Sequence, residues 1–272
     1  MPFPILHFLS NGVAFLLRKV FKYRYRVVLE NLQNSFPDKS PVELKAITKG
    51  FYLNLSDILL ESIKGFTMSR ASIMKRFKFI NPEVIDPYAT KDQSIMIMGT
   101  HVANWEWAFI VYNPQIAHQV VVIYKMLSNP YIEKYSHRQR SRLGTICEPM
   151  QRTARAMLEY KNTPSAYIMA SDQNPSNIQK AHWVDFLNQD TVCQNGTDKL
   201  ARKMDYPVFF HNNKRVKRGY YEVTFEPLEL TPKTSETGSI TTVYMQILEK
   251  VIQDNPKDWL WSHKRWKHKK EA

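Results

Sequence analysis

From residue 93 onward, short apolar runs alternate with helical stretches, and this alternation limits the fold more than any other feature of the chain. Ser94 to Thr100 is a brief apolar run bounded by polar residues, the form of a strand buried on both faces. Strands are also expected over Val120–Tyr124, Ala166–Ala170 and Val208–His211. Helices are expected over 104–112, 130–143 (closing at Gly144), 150–161, 194–204 and 239–254. Tyr220–Phe225 beside the basic Lys214, Arg215, Lys217 and Arg218 predicts an antiparallel hairpin with that basic stretch as its turn. Strands that alternate with helices give an α/β fold: a mixed, mostly parallel central sheet flanked by helices, with sites at the strand ends. Ahead of it the periodicity predicts helices over 26–36, from Ser40 to Gly65, and over 70–76. Ser40, Pro41 and Glu43 have the pattern of a capping box.

The N-terminal segment reads differently. The first acid is Glu30, and the apolar run Ile5–Leu17 is followed at once by Arg18, Lys19, Lys22, Arg24 and Arg26. A bilayer span takes roughly 20 apolar residues, more than this run supplies. A cleaved signal peptide would put its positive charge before the apolar run, not after it. Residues 1–22 are therefore expected to form a membrane-contacting helix with a basic collar, as a helical extension to a single domain over 23–272. The alternative is a helix packed on the core with a solvated basic end. Lys and Arg number 38 against 25 Asp and Glu, a formal charge of +13, which calls for an anionic partner. Nucleic acid, an anionic membrane and a phosphorylated substrate all qualify on charge alone. Two cysteines, Cys147 and Cys193, supply neither a disulfide framework nor a zinc site, so no metal or other cofactor is expected.

The residues with most chemical promise are Gly99-Thr-His-Val-Ala-Asn-Trp-Glu-Trp107, where a buried strand gives way to a helix. Asn104 is a good N-cap, and Glu106 falls in the first helical turn, where the helix dipole favours an ionised carboxylate. The turn can fold Glu106 back onto His101. A carboxylate on one ring nitrogen fixes the tautomer and leaves the other nitrogen as a general base. Asp172, at a later strand end, is a second possible partner for the imidazole, or else the opener of an Asx turn ahead of Asn174-Pro175. Arg138 and Arg140 can hold a phosphate or an oxyanion, or can lie on a solvated helix face.

The stretch GTHVANWEW resembles the HX4(D/E) signature of glycerolipid and lipid A acyltransferases, and further blocks narrow the resemblance. RVVLENLQNSFPDKS is similar to the N-terminal block of the late acyltransferases of lipid A biosynthesis, the lauroyl/myristoyl group. Tyr124-Lys125 with Asn129-Pro130, the pair Arg138-Gln-Arg140-Ser141, Asp172-Gln173 and the closing PKDWLWSHKRWK resemble further family blocks, in order. HWVDFLNQDT is most similar to versions from Bacteroides-like bacteria. The matches run from about residue 24 to 267. The resemblance implies a glycerolipid-acyltransferase-like fold at the cytoplasmic face of the inner membrane. It implies transfer of a fatty acyl group from an acyl carrier protein thioester to a hydroxyl of a lipid A precursor. His101 and Glu106 would be the catalytic residues; Arg138, Arg140, Lys125, Asn104 and Asp172 would bind substrate. A thioester is already activated, so no covalent enzyme nucleophile is needed.

Two departures bear on the details. Where many relatives have a Phe-Phe-Gly turn this chain has Phe186-Leu187-Asn188, which is expected to alter the acyl-chain pocket. Related bacteria also acylate other lysolipids or aminoacyl lipids, so those acceptors stay open, as does a non-catalytic peripheral membrane protein of the same fold. The tail, with Lys264, Arg265, Lys267, Lys269 and Lys270 among Trp261 and Trp266, is expected to form a lipid-headgroup surface. Nothing in the chain resembles a nucleic-acid-binding signature, so nucleic acid is the least favoured partner.

Overall fold

The computed structural model describes residues 1–175, 178 and 181–270. Strand β2 (Ile95–Gly99) is buried along its whole length because it is flanked on both edges. It pairs in parallel with β5 (Ser165–Ala170) on one side and with β8 (Val208–Lys217) on the other. β3 (Gln119–Tyr124) pairs in parallel with β5, and β4 (Ile146–Pro149) with β3. On the far side β9 (Tyr220–Glu229) runs antiparallel to β8, and β1 (Phe77–Phe79) pairs in parallel with β9. The seven-stranded order is β1-β9-β8-β2-β5-β3-β4. This is the mixed, mostly parallel sheet expected from the alternation.

Local chemistry explains the helices. Ser40 closes the expected capping box on α3 (Pro41–Gly65): its hydroxyl accepts from Glu43 N, and the Glu43 carboxylate accepts from Ser40 N at 2.8 Å. Asn104 accepts from Trp107 N and starts α6 (Trp105–Val111); Asn129 likewise starts α7 (Pro130–Ser141). Pro130 takes the first helical position, where its missing N–H costs nothing. The remaining helices are α2 (Tyr25–Ser35), α4 (Arg70–Arg76), α5 (Asp86–Thr90), α8 (Thr153–Glu159), α9 (Gly196–Met204) and α10 (Ser239–Asp254).

Several expectations are corrected. Lys214, Arg215 and Lys217 lie within β8 itself, and the reversal falls at Arg218-Gly219. The strand outlasts its apolar run because Arg215 and Arg218 find a buried carboxylate, described below. The helix expected over 150–161 is a 3-10 turn, Met150–Arg152, followed by α8. β4 and the separate hairpin β6 (His182–Phe186) and β7 (Gln189–Cys193) carry too few consecutive apolar residues to stand out as strands. Leu187 and Asn188, both at positive φ, form the tight turn of that hairpin. Leu187 is buried in the core, and Asn188 Nδ2 donates to the Ser35 carbonyl. This turn is packed on the end of α2.

The C-terminal tail departs furthest from its expected headgroup surface. Trp261 and Arg265 are buried. Arg265 donates to the Val192 carbonyl at 2.6 Å, while Asn31 Nδ2 and Arg24 Nη1 hold the carbonyls of Trp261 and Ser262. Arg24 thus ties the two chain ends together and Arg265 ties the tail to β7, leaving Lys264, Lys267, Lys269 and Lys270 as the exposed cations of the tail.

The N-terminal helix α1 (Phe3–Phe15) packs along α3 through a mixed face of small, polar and apolar side chains. Leu6, Ser10 and Ala14 are buried, whereas Ile5, Phe8, Leu9, Phe15 and Leu16 are exposed. Ser10 Oγ donates to Asp57 Oδ1 at 2.6 Å. Asp57, fully buried on α3, also pairs with Arg218 at 2.6 Å and with Arg215. Burial would raise the Asp57 pKa, but the hydrogen bonds from Arg218, Ser10 and Arg215 hold it below the usual carboxylate range. A π-helical turn, Leu16–Val20, follows. Among the described residues no helix is long and apolar enough to cross a membrane.

Replacing Asp57 with Ala leaves two guanidinium groups without their shared carboxylate. We expect a loss of roughly 3 kcal/mol, read as a lower melting temperature. The contribution of Asp57 is present above the unfolded carboxyl pKa and is lost as pH falls through its depressed folded value. Wild-type and variant melting temperatures should therefore converge in acid.

Candidate active site

His101 and Asp172 meet because of strand order. β2 ends at Gly99 and β5 at Ala170, and the two residues are partners in a parallel pair. The loops leaving these neighbouring C-terminal ends bring a histidine and an aspartate into contact across 71 positions of sequence. His101 Nδ1 lies 2.6 Å from Asp172 Oδ1. Asp172 Oδ2 accepts from His101 N at 2.8 Å and from Trp259 Nε1 at 2.9 Å. A carboxylate with its oxygens occupied this way holds the ring as the Nδ1–H tautomer and frees Nε2 to accept.

The electrostatics follow from these contacts. Burial pulls the His101 pKa down, but the charge and hydrogen bond of Asp172, helped by the charge of Glu106, carry it above the ordinary histidine value. Asp172, 1% exposed, would be raised by its burial; the charge and hydrogen bonds of His101 and Trp259 lower it to about 2. Asp172 is therefore ionised at neutral pH. The imidazole is a stronger base than a free histidine, and about a fifth of its side chain (19%) remains open. At Nε2 it faces the side-chain amide of Gln173, 3.2 Å away.

Glu106 does not make the contact with His101 expected from spacing. Arg140 on α7 takes its carboxylate in a fork: Nη2 to Oε1 at 2.8 Å and Nε to Oε2 at 3.1 Å. The reason lies in the turn. Ala103 adopts a left-handed conformation (φ 53°), so Asn104 caps α6 and the first helical turn points Glu106 towards α7. Trp105, not Glu106, lies against the imidazole, edge to face at 5.2 Å. Arg140 is accordingly a paired, buried cation, not a free anion site; its guanidinium also lies 5.5 Å from the Tyr124 ring.

The other expected residues are placed as follows. Asn104 is buried and points into the protein, accepting from Trp107 N and donating to Glu61. Lys125, just past β3, and Arg138, on α7, are exposed. Beyond the Glu106–Arg140 pair lies an open groove of about 900 Å³, walled by Tyr124, Met126, Leu127, Lys134, His137 and Arg152 among others. A narrow apolar slot bordered by Gly99, Trp105, Phe109 and Ile168 runs under the His101 turn to Tyr112 and His211. Burial pushes the Cys147 thiol up to about 11 and raises that of Cys193, so neither is a ready thiolate. His263 accepts from Asn174 N, and burial lowers its pKa to about 4. Among the described residues, no group of three or more His, Cys, Asp or Glu side chains is placed to hold a metal.

Gln173, Trp259 and Glu61 complete the site; in the sequence Gln173 and Trp259 stand only as members of family-like blocks, with nothing pairing them to His101 or Asp172, and Glu61 is not singled out. Glu61 had a usable signal, an acid on the buried face of α3 one turn after Ile58. Trp259 had none, because its contact spans 87 positions of sequence.

Comparison with known proteins decides the family. The sequence profile described as bacterial lipid A biosynthesis acyltransferase matches residues 1–268. The chain belongs to this family. Lipid A biosynthesis palmitoleoyltransferase of Escherichia coli (strain K12) is 21% identical over 269 residues, covering 98% of this chain and 86% of that protein. A lipid A biosynthesis acyltransferase of Shigella flexneri matches to the same extent. The lauroyltransferase of the same Escherichia coli strain is 20% identical over 274 residues, covering 100% and 88%. The chain is thus an acyltransferase of the lipid A biosynthesis family, and His101 and Asp172 stand at the strand ends where an α/β sheet places its chemistry.

In this acyltransferase the Glu106–Arg140 pair is mostly buried, at 23% and 10% exposure. Glu106→Gln removes the countercharge from Arg140. It should lower stability by about 2 kcal/mol, read by thermal melting. Adding Arg140→Met should recover part of that loss.

Proposed function

We propose that the protein moves a fatty acyl group from an acyl carrier protein thioester to a hydroxyl of a lipid A precursor at the cytoplasmic face of the inner membrane. The observation that carries this reading is the His101–Asp172 pair, with Nε2 turned to a partly open site. Nε2 takes the proton of the acceptor hydroxyl as its oxygen attacks the thioester carbonyl. Asp172 stabilises the imidazolium that forms. The tetrahedral intermediate collapses with cleavage of the carbon–sulfur bond. The imidazolium returns the proton to the leaving sulfur, so protons and charge balance over the cycle. Gln173, already beside Nε2, is the side-chain amide best placed to donate to the oxyanion. The two buried thiols take no part.

The groove across the Glu106–Arg140 pair suits an amphiphilic acceptor, since Met126 and Leu127 share its wall with Lys134, His137 and Arg152. Membrane contact is supported by α1. Besides the face of Leu6, Ser10 and Ala14 that packs on α3, α1 leaves Ile5, Phe8, Leu9 and Phe15 exposed, more apolar surface than a helix on a protein in water normally shows. Phe8, Phe15 and Leu16 would be covered by lipid, with exposed Leu59 and Ile63 of α3 beside them. The exposed Lys19 and Lys22 would then face anionic headgroups.

The purified protein should transfer a fatty acyl chain from acyl carrier protein to a lipid A precursor, scored by mass spectrometry of the lipid. His101→Ala should lower the rate by about a thousandfold or more. Full transfer by this variant would remove the base assignment. Phe8→Glu, on the exposed face of α1, should weaken sedimentation with phosphatidylglycerol vesicles while leaving the melting temperature in place. Unchanged sedimentation would count against this face as the lipid contact.

A further inference from the structure

Glu61 is a fully buried carboxylate on α3, where helical spacing would place an apolar residue. Burying a charge among apolar neighbours is costly unless hydrogen bonds replace the lost water. The partners that replace it come from three separate elements. Oε1 lies 3.1 Å from His7 Nε2 of α1. Oε2 accepts from Asn104 Nδ2 and from Tyr221 Oη of β9, both at 2.7 Å. The Glu61 main-chain carbonyl adds a fourth tie, accepting from Trp107 Nε1 of α6 at 2.8 Å.

The contact with Asn104 sets which way the turn faces. A backbone N–H only donates, so the amide of Asn104 must present Oδ1 to Trp107 N and Nδ2 to Glu61. That orientation caps α6 immediately after Ala103, the left-handed residue of the His101 turn. The capped turn in turn seats Trp105 against the imidazole and Glu106 on Arg140. The opposite oxygen of the same carboxylate is held by α1, the helix that leaves Phe8 and Phe15 exposed. Phe3 of that helix packs edge-on against Trp107 at 6.1 Å, a second link between the two elements.

We propose that Glu61 is a positioning residue for acyl transfer, joining the seated N-terminal helix to the His101 turn through the two oxygens of one carboxylate. The geometry at His101 then depends on how α1 is seated. The inference rests on His101 being the base.

A reciprocal exchange tests it. Asn104→Asp keeps the cap but sets a second carboxylate against Glu61. It should lower kcat by about tenfold or more, with both KM values within about twofold. Glu61→Gln added to Asn104→Asp restores a hydrogen bond with donor and acceptor exchanged, and kcat should return to within about threefold of the parent. His7→Ala, remote from the imidazole, should lower kcat by about threefold or more without changing either KM. All rates are read well below each variant's melting temperature, so a simple loss of folded protein does not mimic the result. Parental kcat in Asn104→Asp, or a loss that Glu61→Gln leaves unrepaired in a folded protein, overturns the proposal. Should Asn104→Asp fail to fold, His7→Ala decides: a lower kcat at constant KM supports the coupling, and parental kcat overturns it. His101→Ala in the same assay separates the two levels. If it retains transfer, the base assignment and this inference fall together. If it is inactive while the exchange gives no rescue, the coupling alone falls.

Discussion

Three parts of the chain that are far apart in sequence are held together by one carboxylate. Asp172 accepts from the His101 backbone, from the His101 ring and from the Trp259 indole. The tail that carries Trp259 is itself laced to the His101 turn, with Ala103 N donating to the Asp258 carbonyl at 2.9 Å. This is why the closing aromatic-basic block is buried. Its tryptophans build the wall behind the aspartate: Trp259 and Trp261 lie edge to face at 4.8 Å, and Phe186 packs on Trp259. Without the tail, Asp172 would lose a donor and gain water, and its pull on the imidazole would weaken.

A second constraint acts at the other end of the chain. α1 is anchored by polar groups, through Ser10 to Asp57 and through His7 to Glu61, beside buried Leu6 and Ala14, and leaves Ile5, Phe8, Leu9 and Phe15 exposed. Arg76 reinforces this anchoring by lying between the rings of Phe3 and Tyr220, at 3.5 and 4.5 Å from their centroids. Buried polar contacts are directional where apolar packing is not, so they fix the rotation of the helix about its own axis. A helix held this way keeps Phe8 and Phe15 outward in water, a cost that contact with lipid would relieve. Expectations from sequence had offered a membrane helix or a core-packed helix as alternatives. The structure shows a helix packed on α3 that also leaves Phe8 and Phe15 exposed.

Much of the fold was legible because it is written locally. The apolar run before Gly99, the Ser40–Glu43 box, Asn104 as a cap, and the closing helix at 239–254 are short-range signals, and each falls where expected. The site was legible in its members more than in its pairings. His101 stood out at a strand end, and both Glu106 and Asp172 were recognised as possible partners. Choosing between them required the sign of φ at Ala103 and the adjacency of β2 and β5, neither of which a spacing of five residues encodes. Glu106 lies near in sequence but is drawn to Arg140; Asp172 is distant in sequence and adjacent in the sheet. Composition misled at the tail, because tryptophan beside arginine reads the same whether the pair faces a bilayer or closes a core. Arg265 is buried and Lys264 is exposed, one residue apart.

The central claim is that Asp172, rather than Glu106, sets the basicity of His101, and the pH dependence of kcat/KM tests it most directly. The base acts in its neutral form, so the rate rises as pH passes through the His101 pKa. With Asp172 present that acid limb should lie above the ordinary histidine value of about 6.5. In Asp172→Asn the charge is gone while burial remains, so the limb should move to lower pH and the plateau rate should fall steeply. Glu106→Gln should move it by less. An acid limb that stays in place in Asp172→Asn but shifts strongly in Glu106→Gln would contradict the account.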